Sequence, residues 1–204
     1  MNGANVIIKS EKGFSLVEFL AAATILIIMG ASMFSVMAEM ERNAGYQSEV
    51  QAVLGNTRTA MNTVTRYIRG AGNNPLGAVF DGLTIASASS VRLRTDVTGS
   101  SLADPNRGDP DGDTNDVDED VTLRYNAGAR TIECVLGDGT VRTIANRITA
   151  FNMQYFDASG GVVAAGADVR RVRVTISGSS NLAHLQTQQT FGITEVGDVQ
   201  LVTR

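Results

Sequence analysis

A chain of 204 residues, 43% hydrophobic and 19% charged, carries apolar surface for one folded domain and an extension, which excludes wholesale disorder and two full-sized domains. Its formal net charge of −4 provides no basic excess to hold a phosphate backbone, so no nucleic-acid partner is expected. The lone Cys134 excludes an intrachain disulfide, and the fold must stand without a covalent staple.

The first element in chain order is an uncharged run over residues 19–38, FLAAATILIIMGASMFSVMA. About 20 such residues in a helix span about 30 Å, the hydrocarbon thickness of a bilayer. Lys9 and Lys12 precede the run, which predicts a cytoplasmic N-terminus. A secretory signal peptide needs a small-residue cleavage site after the apolar stretch, and Met37-Ala38-Glu39-Met40-Glu41 fits that poorly. A plain single-span anchor leaves Glu18 unexplained: it lies within the otherwise apolar run 14–20, where a carboxylate is costly unless something pairs with it.

Residues Lys12-Gly13-Phe14-Ser15-Leu16-Val17-Glu18 resemble the prepilin-peptidase site of type IV pilins and type II secretion pseudopilins. The resemblance implies a leader over residues 1–13 and a cut between Gly13 and Phe14 by prepilin peptidase on the cytoplasmic face. It also implies N-methylation of Phe14 and retention of the apolar segment. Glu18 would then be the fifth mature residue, pairing with the cationic Phe14 amine of a neighbouring subunit and setting the axial stagger. Expected partners are the peptidase, other pilin or pseudopilin subunits and an inner-membrane assembly platform. The expected location is the bacterial inner membrane, single-pass with a periplasmic head, and then a pilus or pseudopilus.

Past the span, Val50, Val53, Leu54, Met61, Val64 and Ile68 recur at three- and four-residue spacings, one face of an amphipathic helix. Arg42, Glu49, Arg58 and Arg66 mostly fall off that stripe. Gly70, Gly72 and Pro75 are suited to end it, glycine in a left-handed cap and proline unable to continue. The reading is therefore a transmembrane or filament-core helix over 14–38 that continues as an amphipathic helix over 39–72 against the head. The stretch 58–75, with Arg58, Arg66 and Arg69 before Gly70 and Pro75, resembles PilW-type minor pilins and, more distantly, J-type minor pseudopilins. A solvated basic last turn favoured by the helix dipole accounts for the same arginines. Major pilins of this class often carry proline where Ser35 stands; Gly30, Ala31 and Ser32 are the local soft point here.

Over residues 73–204 the period becomes two. Val91/Leu93, Val121/Leu123/Tyr125, Phe151/Met153/Tyr155 and Val172/Val174/Ile176 each alternate with polar neighbours and read as half-buried strands. Asn126-Ala127-Gly128, Gly137-Asp138-Gly139 and Ser159-Gly160-Gly161 are turn signals between them. The fold class expected is α+β: a long N-terminal helix, transmembrane in its first half, packed on an antiparallel β-sheet head, a pilin-like arrangement. Arg171 and Arg173 are placed on the sheet face away from the helix, as a solvated face or a subunit contact.

Within the head, residues 104–120 form an acidic stretch. Asp109, Asp111 and Asp113 alternate as the first ligands of an EF-hand calcium loop do, and Asp116, Asp118 and Asp120 follow. Thr114 stands where such a loop needs glycine, Val117 stands at a ligand position, and no helices flank it. Two readings stay open: a compact Asp-rich Ca²⁺ loop using these six carboxylates, or a solvated acidic loop.

Catalytic groupings are thin. His184 has no spaced His, Cys or acid partner, Cys134 lies in a strand-like run, and Ser179 and Ser180 lack a nucleophile-elbow pattern. The reading is a non-enzyme: a minor pilin that helps to start or cap a type IV pilus. The alternatives are a minor pseudopilin of a type II secretion system or, from another class, a tip adhesin or calcium-dependent surface-binding module.

Overall fold

The computed structural model describes residue 13 and residues 15–99, 109–164 and 168–201. They fall into two compact units, Met1–Gly45 and Tyr46–Arg204. A single helix, α1 (Leu16–Gly70), accounts for the described first unit beyond Ser15 and contributes to the second. Ser15 supplies its N-terminal cap: the Ser15 hydroxyl accepts from the Val17 N–H at 3.3 Å, and its carbonyl accepts from Phe19.

In the second unit α1 buries Val53, Thr57, Ala60, Val64 and Ile68. That stripe keeps three of the six residues expected from hydrophobicity; Val50, Leu54 and Met61 are only half-buried at its flanks. The reason is steric. A Cβ on Gly178 would lie 2.8 Å from Thr57 Oγ1 and 3.1 Å from Val53 Cγ1, so the helix meets a bare backbone there and small residues line the contact. Thr57 is tolerated at zero exposure because its hydroxyl donates to the Val53 carbonyl at 2.8 Å. Glu49 is more than a solvated charge off the stripe. It accepts from the N–H groups of Asn181 and Leu182 at 2.9 and 2.7 Å and pairs with Arg147 at 3.2 Å.

The head contains eight strands among the described residues: β1 (Leu83–Ser87), β2 (Ser90–Arg94), β3 (Asp120–Asn126), β4 (Thr131–Val135), β5 (Val141–Ala145), β6 (Ile148–Phe156), β7 (Arg171–Ala183) and β8 (Thr190–Gln200). All pairings are antiparallel and follow chain order, across short turns and, between β2 and β3, across the long segment that holds the acidic stretch. Instead of the one sheet expected, there are two: a five-stranded meander β1-β2-β3-β4-β5 and a three-stranded meander β6-β7-β8. The break comes between Ala145 and Ile148. Arg147 sits at φ 60°, and the Ile148 N–H bonds to the Arg130 carbonyl outside the β4–β5 ladder. Ala60, Val64 and Ile68 of α1, Leu93, Leu123 and Ile132 of the first sheet, and Met153, Val174 and Ile176 of the second share one core. The alternation read from the sequence is what buries them: even-numbered residues of β7 from Val172 to Ser180 face inward.

α1 ends where the glycine and proline signals place its end. Gly72 adopts φ 75° and donates to the Arg94 carbonyl at 2.9 Å, while the Arg94 N–H donates to the Gly82 carbonyl at 2.9 Å. Gly72 and Gly82 thus cross backbone against backbone, pinned by the two main-chain bonds of one residue. Asn73 then accepts from the Asp96 N–H at 2.8 Å, tying the helix exit to the chain just beyond β2. Arg171 and Arg173 lie over the Phe156 ring at 4.4 and 5.6 Å, and both pair with Asp198 of β8.

Candidate functional site

Two regions carry the residues singled out in the sequence. The first is the start of α1. Gly13 is exposed, with open space where a side chain would stand. Phe14 and the leader residues 1–12 lie outside the described residues, so the cleavage site is described only on its glycine side. Glu18 is exposed in the first helical turn, and no side chain among the described residues pairs with it. It stands in a broad apolar surface. Leu16, Val17, Phe19 and Leu20 flank it, and Ile25 to Met29, Phe34 and Met37 continue it, all more than half exposed.

This helix, near the N-terminus, is long and apolar enough to cross a membrane. Two of its hydroxyls suit that medium: Thr24 donates to the Leu20 carbonyl and Ser32 to the Ile28 carbonyl, each at 2.8 Å, so neither needs water. Glu18 has no such partner among the described residues. A carboxylate carried to bilayer depth costs about 3 kcal/mol on insertion scales.

The second region is the acidic stretch, described over 109–120. Its front is a run of local turns. Asp111 Oδ1 accepts from the Asp113 N–H at 3.2 Å, and Asp113 Oδ1 from the Asn115 N–H at 2.8 Å. Asp109, Asp111 and Asp113 are all exposed. Further on, arginines of the first sheet engage the carboxylates: Asp118 meets Arg142 at 3.4 Å, and Asp120, the first residue of β3, takes a two-pronged contact from Arg92 with Nε at 2.7 Å. Asp118 and Asp120 thus have cationic partners in the first sheet, while Asp111 and Asp113 accept from backbone of the stretch itself. Among the described residues no group of three His, Cys, Asp or Glu side chains forms a metal-ligating cluster.

The structure instead buries acids that hydrophobic patterning did not mark. Asp96 and Glu119 have zero exposure and Asp116 has 4%. Glu119 Oε1 accepts from the N–H groups of Val97 and Thr98 at 2.7 and 2.8 Å and from the Thr98 hydroxyl at 3.2 Å. Asp116 Oδ2 lies 3.4 Å from that same hydroxyl. Gly99 packs directly against the Asp109 carbonyl. The stretch thus folds back on residues 96–99. Glu119 is visible in the sequence as part of the acidic run, but Asp96 lies before that run and carries no local signal.

The single-residue candidates are placed as follows. Cys134 is buried in β4, and burial pushes its thiol above the ordinary range, which makes it a poor nucleophile. His184 packs edge-on against Tyr46 with ring centres 5.1 Å apart, and its Nδ1 accepts from the Gln186 N–H at 3.3 Å. The hydroxyls of Ser179 and Ser180 donate to the carbonyls of Ser180 and Leu182.

Fold and site together define an α+β protein with a long apolar N-terminal helix compatible with a membrane anchor and an antiparallel β head. No protein-family model and no curated protein matches the chain.

Proposed function

We propose that this chain is the precursor of a minor type IV pilin of the PilW kind, cut after Gly13, methylated on Phe14 and incorporated into a filament whose assembly it helps to start or cap. The observation that carries the reading is Glu18: a lone carboxylate in the first turn of an exposed apolar helix, five residues after the glycine of a prepilin-type site. In lipid or in a filament core, that charge needs a cation. The new N-terminal amine of a neighbouring subunit is one that processing itself creates. In this reading the N-terminus is cytoplasmic, the head periplasmic, and the partners are prepilin peptidase, other subunits and the assembly platform.

Deletion of the gene in the host bacterium, scored for surface pili, twitching and exoprotein secretion, tests the assignment. The expected result is lost or reduced piliation with normal secretion. Normal pili with lost secretion would assign the chain to a type II secretion pseudopilus instead, and intact pili with lost surface attachment to an adhesin. At residue level, Glu18→Ala is expected to leave membrane insertion and head folding intact. Its co-purification with sheared filaments should fall about tenfold, the equivalent of about 1.4 kcal/mol in the subunit contact. Wild-type incorporation of that variant would reduce Glu18 to a tolerated polar residue.

A further inference from the structure

Asp96 and Glu119 are fully buried, and among the described residues three of their four carboxylate oxygens accept no hydrogen bond: Asp96 Oδ1, Asp96 Oδ2 and Glu119 Oε2. The fourth, Glu119 Oε1, is held by the N–H groups of Val97 and Thr98. Asp96 immediately precedes those groups, and covalent geometry keeps its carboxylate within about 5 Å of the Val97 N–H. The two carboxylates therefore flank one short stretch of backbone. Arg94, two residues before Asp96, bonds to neither, and its own buried Nε has no acceptor.

Buried acceptors without donors are rare in folded proteins, and like charges flanking the same backbone stretch repel in a low-dielectric interior. A proton on either carboxyl would neutralise one charge and create an O–H that itself needs an acceptor. One hard divalent cation would neutralise both and take oxygen atoms as its natural ligands.

We propose that Asp96 and Glu119 Oε2 hold a divalent cation of the calcium class at the junction of the β2 exit and the acidic stretch. Asp116, whose Oδ2 is 3.4 Å from the Thr98 hydroxyl, lies at the border of the site. Calcium fits better than magnesium because it accepts six to eight oxygens in irregular geometry, whereas magnesium demands an octahedron and dehydrates reluctantly. The cation would act as a clasp: Glu119 already grips the Val97 and Thr98 amides, and the metal would add Asp96 to the same hold. The surrounding Asp109, Asp111 and Asp113 serve in this account as an electrostatic lure, not as the principal ligands. The site does not depend on the filament reading, since metal binding to purified protein and incorporation into pili are separate measurements.

The test uses the full-length chain in detergent, stripped with EDTA and dialysed. Radiolabelled calcium binding, thermal melts and amide hydrogen exchange are then followed with calcium or with EDTA. A single calcium per chain is expected, with a melting temperature several degrees higher at about 100-fold excess over Kd. Exchange at the Val97 and Thr98 amides should slow in calcium. Asp96→Asn and Glu119→Gln should each abolish binding and the shift, while the double variant Asp111→Asn, Asp113→Asn keeps both. In EDTA, Asp96→Asn should melt at or above the wild type, because one uncompensated buried charge is gone. Identical wild-type melts in calcium and EDTA would overturn the proposal, as would a shift that survives Asp96→Asn. Should the variants fail to fold, exchange in the wild type decides: slowing confined to residues 111–115 would also overturn it.

Discussion

Gly13→Arg is expected to leave the chain as an uncut precursor absent from filaments, while wild-type protein from a strain with prepilin peptidase begins at Phe14 and carries one added methyl group. The expectation follows from the size of the residue before the cut. Gly13 presents a side-chain-free backbone just ahead of α1, and a Cβ there would meet nothing within 4 Å among the described residues. The expected block lies with the peptidase, whose cleft has to admit this backbone. Gly13→Ala, adding one methyl, should be cut more readily than bulky replacements. Intact-mass spectrometry and N-terminal sequencing of membrane fractions read the outcome directly. A mature N-terminus beyond Ala38 would remove the prepilin reading altogether, and with it the role given to Glu18.

The largest effect on folding is expected at Gly82. A Cβ there would overlap the Cα and N of Gly72, and it would stand 3.2 Å from the Ala71 carbonyl carbon. These are backbone atoms, which cannot swing aside as a side chain does. Gly72 is further constrained by its φ of 75° and its bond to Arg94, and Gly82 by accepting from the same residue. Gly82→Ala must therefore separate the helix end from the β1–β2 hairpin. Overpacking costs about 1–3 kcal/mol where neighbours can shift, and about 3 kcal/mol or more is expected here. At about 2–4 °C per kcal/mol for a head of this size, melting should fall by about 6–12 °C. Gly128→Ala is the control: its nearest neighbour would be 3.6 Å away, an ordinary contact, and a change within about 0.5 kcal/mol is expected. Equal melting of the two variants would mean that the Gly72–Gly82 crossing does not support the fold.

Features legible in the sequence are those whose cause is local. The apolar run over 19–38 predicts a span because length and composition alone meet the bilayer condition, and α1 is long and apolar enough there. Gly72 and Pro75 mark the helix end because a left-handed residue and a missing N–H stop a helix whatever surrounds them. The strands around Leu93, Leu123, Met153 and Val174 show a period of two because one face is buried, and each is a strand in the fold.

What stayed hidden depends on which distant segments meet. Thr57 and Ala60 line the buried stripe in preference to Leu54 because Gly178, far along the chain, brings a bare strand against the helix. Glu49 reads as a surface charge until Asn181 and Leu182 present their N–H groups to it. One expected sheet became two because Arg147 takes a left-handed turn after β5, a conformation that arginine's local preferences do not announce. The acidic stretch shows the division most sharply. Its composition was plain in the sequence, with the alternating Asp109, Asp111 and Asp113 as its most regular feature, yet those side chains are exposed. Asp96, from outside the stretch, and Asp116 and Glu119, towards its inner end, are buried instead. Charge density is a property of composition, but desolvation is a property of packing, and only the tertiary structure decides which carboxylates must find a counter-charge.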